Sequence, residues 1–161
     1  MAGPTRVLHL DRLKRRLEAI PKEARAEIRK ALEKSAVELA GMVKNFAPEH
    51  SGDLKNSVGY TFGEYIPENS NVRGVSAAGG LGDPDLSVTV HAGDAKAFYA
   101  AFVEFGTKAH LQGGKLAGTY HPGTAPKPFF FPAYRLLKKR IKNRIARAVK
   151  KAARNVAAGG R

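Results

Sequence analysis

Cysteine and tryptophan are absent from this 161-residue chain, and no aspartate or glutamate follows Glu104. Without cysteine there is no disulfide framework, no thiolate metal site and no thiol catalysis, so any metal would have to rest on His or carboxylate. Long apolar runs are missing too. The longest, Ala97 to Val103, is far short of the roughly 20 residues a membrane span requires, and Met1 to Leu10 lacks the apolar stretch of a secretion signal. These absences point to a soluble protein with no membrane span, and they fit a reducing compartment. The apolar stripe near the C-terminus, with no Trp or Phe beyond Tyr134, is too thin in aromatics to make a membrane an expected partner.

What is present is charge, unevenly placed. The chain carries 28 Lys and Arg against 14 Asp and Glu, a net +14. Residues 1–104 hold 14 of the basic residues and all the acidic ones, so residues 105–161 account for the whole excess. A neutral body with a cationic end predicts a contact surface for nucleic acid, an acidic protein or an anionic membrane. The length and the 43% hydrophobic content favour one domain with a real core.

Along the chain, Leu13, Leu17, Ile20, Ala24, Ile28, Leu32, Leu39, Val43 and Phe46 recur at helical spacing. Pro21 divides them into a short helix, Leu10 to Ile20, and a longer one, Pro21 to Phe46. Ala47-Pro48 and Gly52 end it. Leu54 to Tyr65, with Leu54, Val58, Tyr60 and Phe62 pointing inward, and Leu86 to Val90 read as strands around a Gly/Pro-rich excursion near 66–84. Ala97 to Phe105 reads as a short buried helix capped by Gly106, with a strand as the alternative. A Gly-rich loop near 108–127 follows. Tyr134, Leu137, Ile141, Ile145, Ala148, Ala152 and Val156 then form a helical stripe under a Lys/Arg face. The stripe is expected to pack on the domain through Ile145, leaving 148–161 as a basic extension that docks rather than folds. The expected architecture is α+β: one domain, 1–147, with a small, mostly antiparallel sheet flanked by a long N-terminal and a basic C-terminal helix.

Chemistry-bearing patterns are sparse. His9, His50, His91, His110 and His121 lack the spacing of a metal site, alone or with Glu104 or Asp94. Gly79-Gly80-Leu81-Gly82 and Gly113-Gly114-Lys115 lack the strand-to-helix context of a phosphate loop. No serine has a recognisable base. No cofactor, metal or catalytic residue is expected, and a nuclease or peptidase using Glu104 with a loop histidine ranks last. Glu104 sits in the most apolar window, where an unpaired carboxylate is costly; solvent exposure, an ion pair within or between subunits, and catalysis are its alternatives. The basic face, comprising Lys138, Lys139, Arg140, Lys142, Arg144, Arg147, Lys150, Lys151 and Arg154, has no interleaved aromatic residues, so any nucleic-acid contact is to phosphates.

Three blocks narrow the reading. Ala47-Pro48 with Ser51-Gly52-Asp53-Leu54-Lys55-Asn56-Ser57-Val58, then Tyr99-Ala100-Ala101-Phe102-Val103-Glu104-Phe105-Gly106-Thr107, then Pro128-Phe129-Phe130-Phe131-Pro132-Ala133 resemble, in order and spacing, the HK-ninety-seven gene-ten-like phage tail-component family. The resemblance runs from about Ala31 to Ile145. It implies a non-enzymatic virion protein of the head-to-tail junction, made in the host cytoplasm and placed at the neck or the top of the tail. It further implies a ring of six copies that acts in tail completion, termination or head–tail joining, with connector or stopper proteins and the tail tube protein as partners. Tyr99, Phe102, Glu104, Phe105, Gly106, Thr107, Pro128, Phe129 and Pro132 would then build the core and the ring interface. The basic face would meet an acidic neighbouring ring or packaged DNA. The alternative is a sequence-independent nucleic-acid-binding protein using the basic C-terminal helix.

Overall fold

A computed structural model describes residues 21–49, 52–67, 83–114 and 117–159. The expected helix Leu10 to Ile20 and most of the 66–84 excursion lie outside the described residues. The apolar repeat makes Lys22–Phe46 one long helix, α1, burying Ala24, Ile28, Ala31, Leu32, Ser35, Ala36, Leu39, Ala40 and Val43 along one stripe. Pro21 sits at its N-cap with φ −55° and ψ 150°, where a missing N–H costs nothing. At the other end Ala47 is extended, with φ −62° and ψ 127°, because Pro48 disfavours helical geometry in the residue before it.

Asp53–Asn56 forms a short helix, α2, so Leu54 lies on a helical turn rather than in the expected strand. Gly52, at φ 84°, provides the entry, and Ser57 closes the turn by donating to the Leu54 carbonyl at 2.8 Å. Only Gly59–Phe62, β1, is extended. It pairs antiparallel with Val88–His91, β2, in the register Gly59↔His91, Tyr60↔Val90, Thr61↔Thr89 and Phe62↔Val88. The second strand therefore starts later than expected: Pro84–Leu86 is a 3₁₀ turn with the Asp83 carboxylate accepting from the Asp85 N–H. Asp83 and Asp85 also pair with Arg25 and Arg29 of α1. These contacts hold the return of the excursion against the helix.

Ala100–Phe105 is the short helix α3, ended by Gly106. The glycine-capped helix forms as expected, but its aromatic stripe is not the buried face: Ala100 and Glu104 are buried, whereas Phe98, Phe102 and Phe105 are exposed. The loop near 108–127 is a hairpin rather than a featureless excursion. His110–Leu111, β3, pairs antiparallel with Tyr120–His121, β4, and a bridge between Thr107 and Thr124 closes its base.

Phe130–Gly159 is α4, 30 residues long. It runs antiparallel to α1: Ala152 packs with Ala24 and Ile28 at one end, and Leu137 and Ala133 with Leu39, Ala40 and Val43 at the other. The helix passes residue 147 without a break, and Ala152 is only 3% exposed. The expectation that the chain beyond 147 docks without taking part in folding is thus corrected, because its apolar stripe continues onto the first turns of α1. Alanines and Ser35 along the seam let the two backbones approach closely. Ser35 donates to the Ala31 carbonyl at 2.7 Å and accepts from Arg144 Nη1 at 3.1 Å. The sheet covers the α1 end of this pair, with Phe62, Leu86 and Val88 against Ile28 and Leu32. The architecture is α+β, as the patterning predicts.

Candidate functional site

The three sequence blocks converge on one cluster. Leu54 and Val58 from the first, Ala100 from the second, and Phe129 and Ala133 from the third share a core with Leu39, Val43 and Leu137, while Tyr99 and Val103 pack at its margin. Ser57, 6% exposed, accepts from the Gly93 N–H at 3.0 Å, which ties the end of β2 to the first block. Much of the motif therefore serves packing. Phe129, at 1% exposure, is the largest fully buried side chain among the described residues, and cutting it to Ala would cost about 3–5 kcal/mol.

Glu104 has a role none of its sequence alternatives described. It is 6% exposed, and its carboxylate accepts three backbone N–H bonds: from Phe129 at 2.7 Å and Phe130 at 2.8 Å to Oε2, and from Phe131 at 3.1 Å to Oε1. These are donors of the α4 N-terminus, which have no partner within the helix. The next residue, Pro132, has no N–H to satisfy. A carboxylate here also lies at the positive end of the helix dipole. Burial is offset by hydrogen bonds rather than by a cation, so α3 and α4 are joined at one fixed angle.

Two backbone positions complete the joint. Gly106 has φ 71° and ψ 179°, and a Cβ there would lie 2.5 Å from the Thr124 carbonyl oxygen and 2.9 Å from the Pro126 nitrogen. Only glycine lets the chain leave α3 beneath the hairpin base. Thr107 forms two backbone bonds with Thr124, each 3.0 Å. Lys127 donates to the Val103 carbonyl at 2.8 Å, holding the return strand against α3.

With the core and cap so occupied, the remaining aromatics face outward. Phe105 is 66% exposed and lies 5.9 Å, centroid to centroid, from Phe131, itself 43% exposed. Phe102 and Tyr99 border an open groove of about 630 Å³ between α3 and the hairpin, which Thr107, His110 and His121 also line. Pro128 is exposed and Pro132 half-buried. At the hairpin, Leu111 and Tyr120 are 70% and 69% exposed. Phe131, Leu111 and Tyr120 escaped sequence reasoning: a run of three phenylalanines does not reveal which one faces outward, and a Gly-rich stretch does not announce a hairpin. His110 and His121 stack across β3 and β4 at 5.2 Å. The His110 Nδ1–H donates to the Lys108 carbonyl, whereas the His121 Nδ1 accepts from the Gly123 N–H.

The basic residues separate into two groups. Arg140 and Arg144 both pair with Glu38, the first at 3.0 Å, and Lys151 pairs with Glu27 at 3.0 Å, so these three bind α4 to α1. Lys138 reaches over the Tyr134 ring at 5.9 Å. Lys139, Lys142, Arg147, Lys150 and Arg154 are exposed, as is Arg135, which sequence reasoning passed over.

The motif residues thus build a core and a helix cap, with aromatic and cationic faces left outside. The chain belongs to the family described as "Bacteriophage HK97-gp10, putative tail-component", whose model matches residues 11–106, more than half of its length. It is accordingly a phage tail component, a part of the virion. The Pro128 block and α4 lie beyond the matched residues. No curated protein and no solved structure matches the chain.

Proposed function

We propose that this tail component is a ring subunit of the head-to-tail junction, acting in tail completion or termination and in head–tail joining. The observation that carries the reading is the pair of outward aromatics, Phe105 and Phe131, held rigidly on either side of the buried Glu104 cap. Apolar surface fixed on a stiff joint is a feature of interaction sites in soluble proteins. The hairpin supplies a second apolar element, the exposed Leu111 and Tyr120. Contact between two unlike patches of identical subunits is heterologous, and closes into a ring when the rotation permits. Six copies would complete it, with connector or stopper proteins on one side and the tail tube protein on the other.

The test is the double variant Phe105→Asp, Phe131→Asp in the phage genome. Both side chains are exposed, so the purified variant should keep its helix content and melting temperature. In lysates, electron microscopy should show heads and tails unjoined. Joined particles at normal yield would remove this surface from the mechanism.

A further inference from the structure

We propose that the solvent face of α4 is a docking surface for the phosphate backbones of duplex DNA. The proposal does not rest on ring assembly, since the face is complete in one subunit. Three of the helix's cations are matched by glutamates of α1, and Lys138 lies over Tyr134. Six others, Arg135, Lys139, Lys142, Arg147, Lys150 and Arg154, are exposed, and α4 contains no acidic residue to offset them. At about 100° per residue these six share an arc of about 140°, opposite the buried Ala133, Leu137 and Ala152, and at about 1.5 Å per residue they extend over about 28 Å. Duplex DNA offers one phosphate charge per about 1.7 Å of its axis. A rigid cationic row of this length complements it without any change of conformation.

The composition of the arc decides between polyanions. The main apolar stripe of α4 is buried against α1 and the core. The large apolar residues that the helix still exposes, Phe131, Tyr134, Leu136, Val149 and Val156, are dispersed along its length rather than gathered into the continuous apolar face that a lipid-inserting helix needs. A protein partner would want a desolvated apolar or aromatic centre, whereas Leu136 lies among the cations of the arc and Val149, the other exposed large aliphatic beside them, sits at its edge about 20 Å away along the helix. Single strands are held by stacking on aromatic rings, and no ring lies in the arc. What remains is sequence-blind attraction to a regular array of phosphates.

The experiment measures binding of the full-length free protein to a fluorescent duplex of arbitrary sequence by anisotropy, from 50 to 200 mM salt. With about 4–6 phosphate contacts, log K against log salt should have a slope of about −3.6 to −5.4, a fall of roughly a hundredfold to two-thousandfold over that range. The variant Lys139→Gln, Lys142→Gln, Lys150→Gln, Arg154→Gln should keep its melting temperature and flatten the slope by about 3 to 4, and Lys142→Gln alone by about 0.9. Lys30→Gln with Lys34→Gln, on the exposed side of α1, should leave the slope unchanged. The proposal is overturned if the wild-type protein does not bind at 50 mM salt, or if the fourfold variant retains the wild-type slope. It is equally overturned if phosphatidylserine vesicles compete as well as unlabelled duplex at equal phosphate, or if binding is salt-resistant and confined to one sequence.

Discussion

Replacing Glu104 by Ala removes the acceptor that holds the first turn of α4, and the structure sets the size of the effect. Three backbone N–H groups lose their partner at once, one of them on the buried Phe129. Loss of a capping side chain costs about 1 kcal/mol and at most about 2. The favourable placement of a partly buried negative charge at a helix N-terminus contributes up to about 2, and a buried donor left unpaired costs about 1–3. These contributions overlap, and together they give about 3–5 kcal/mol, or a fall of about 6–20 °C in melting temperature for a chain of this size. Glu104→Gln keeps the shape and one carbonyl oxygen, which can still receive the Phe129 and Phe130 N–H groups, but turns an NH₂ toward the Phe131 N–H and discards the charge. It should lose about 1–2 kcal/mol. Urea denaturation followed by far-UV circular dichroism would measure both. Because the site is shielded from solvent, the gap between wild type and Glu104→Ala should change little with added salt. If Glu104→Ala loses under about 1 kcal/mol, or if both variants lose the same amount, the carboxylate does not hold the helix as argued.

Two further outcomes follow from the geometry around the sheet and the hairpin. Gly106→Val combines a positive φ with a Cβ placed against the Thr124 carbonyl and Pro126; it should destabilise by several kcal/mol, and a variant melting within a degree or two of wild type would show that the hairpin base shifts freely. His91 stacks on Tyr65 at 3.9 Å with its Nδ1 buried and unbonded, and burial lowers its pKa below 6.5. The folded state therefore prefers the neutral ring: the stability it contributes is present above the unfolded-state value and is lost as pH falls through about 6.5 toward the lower folded-state value. Thermal melts from pH 8 to 5 should show a decline that His91→Phe weakens, and an identical decline in that variant would assign it to other groups.

Much of the scaffold was legible from local pattern. The apolar spacing of α1 from Ala24 to Val43, its end at Ala47-Pro48, the middle of the α4 stripe and the glycine stop after Phe105 are properties of short segments, and they survive in the structure because helix period and backbone restriction act within a few residues. Phe46, Tyr134 and Val156, at the ends of the two stripes, are exposed instead. Shorter elements were less secure. Leu54 fell in a helical turn rather than a strand because Gly52 opens the turn and Ser57 closes it, a matter of backbone hydrogen bonds that alternation does not report. The exposed side of α3 is likewise not legible locally: Phe98, Phe102 and Phe105 at helical spacing look like a core face, but Ala100 and Glu104 are the buried residues, because Glu104 is turned inward by the backbone N–H groups at the start of α4.

The sequence by itself determined the α+β composition, the cationic end and the first two of its three motif blocks, which fall, as far as Gly106, in the stretch that the family model matches. Only the tertiary structure decided what those residues do. Glu104 is separated from Phe129 by 25 residues along the chain, and Glu38 from Arg144 by 106. Whether a carboxylate is a solvent charge, an ion-pair partner or a helix cap depends on which donors the fold brings within about 3 Å, and whether a lysine is spent within the chain or offered to a partner depends on the helix packed beside it. Local spacing carries neither fact, because both arise from contacts between segments that are remote in sequence.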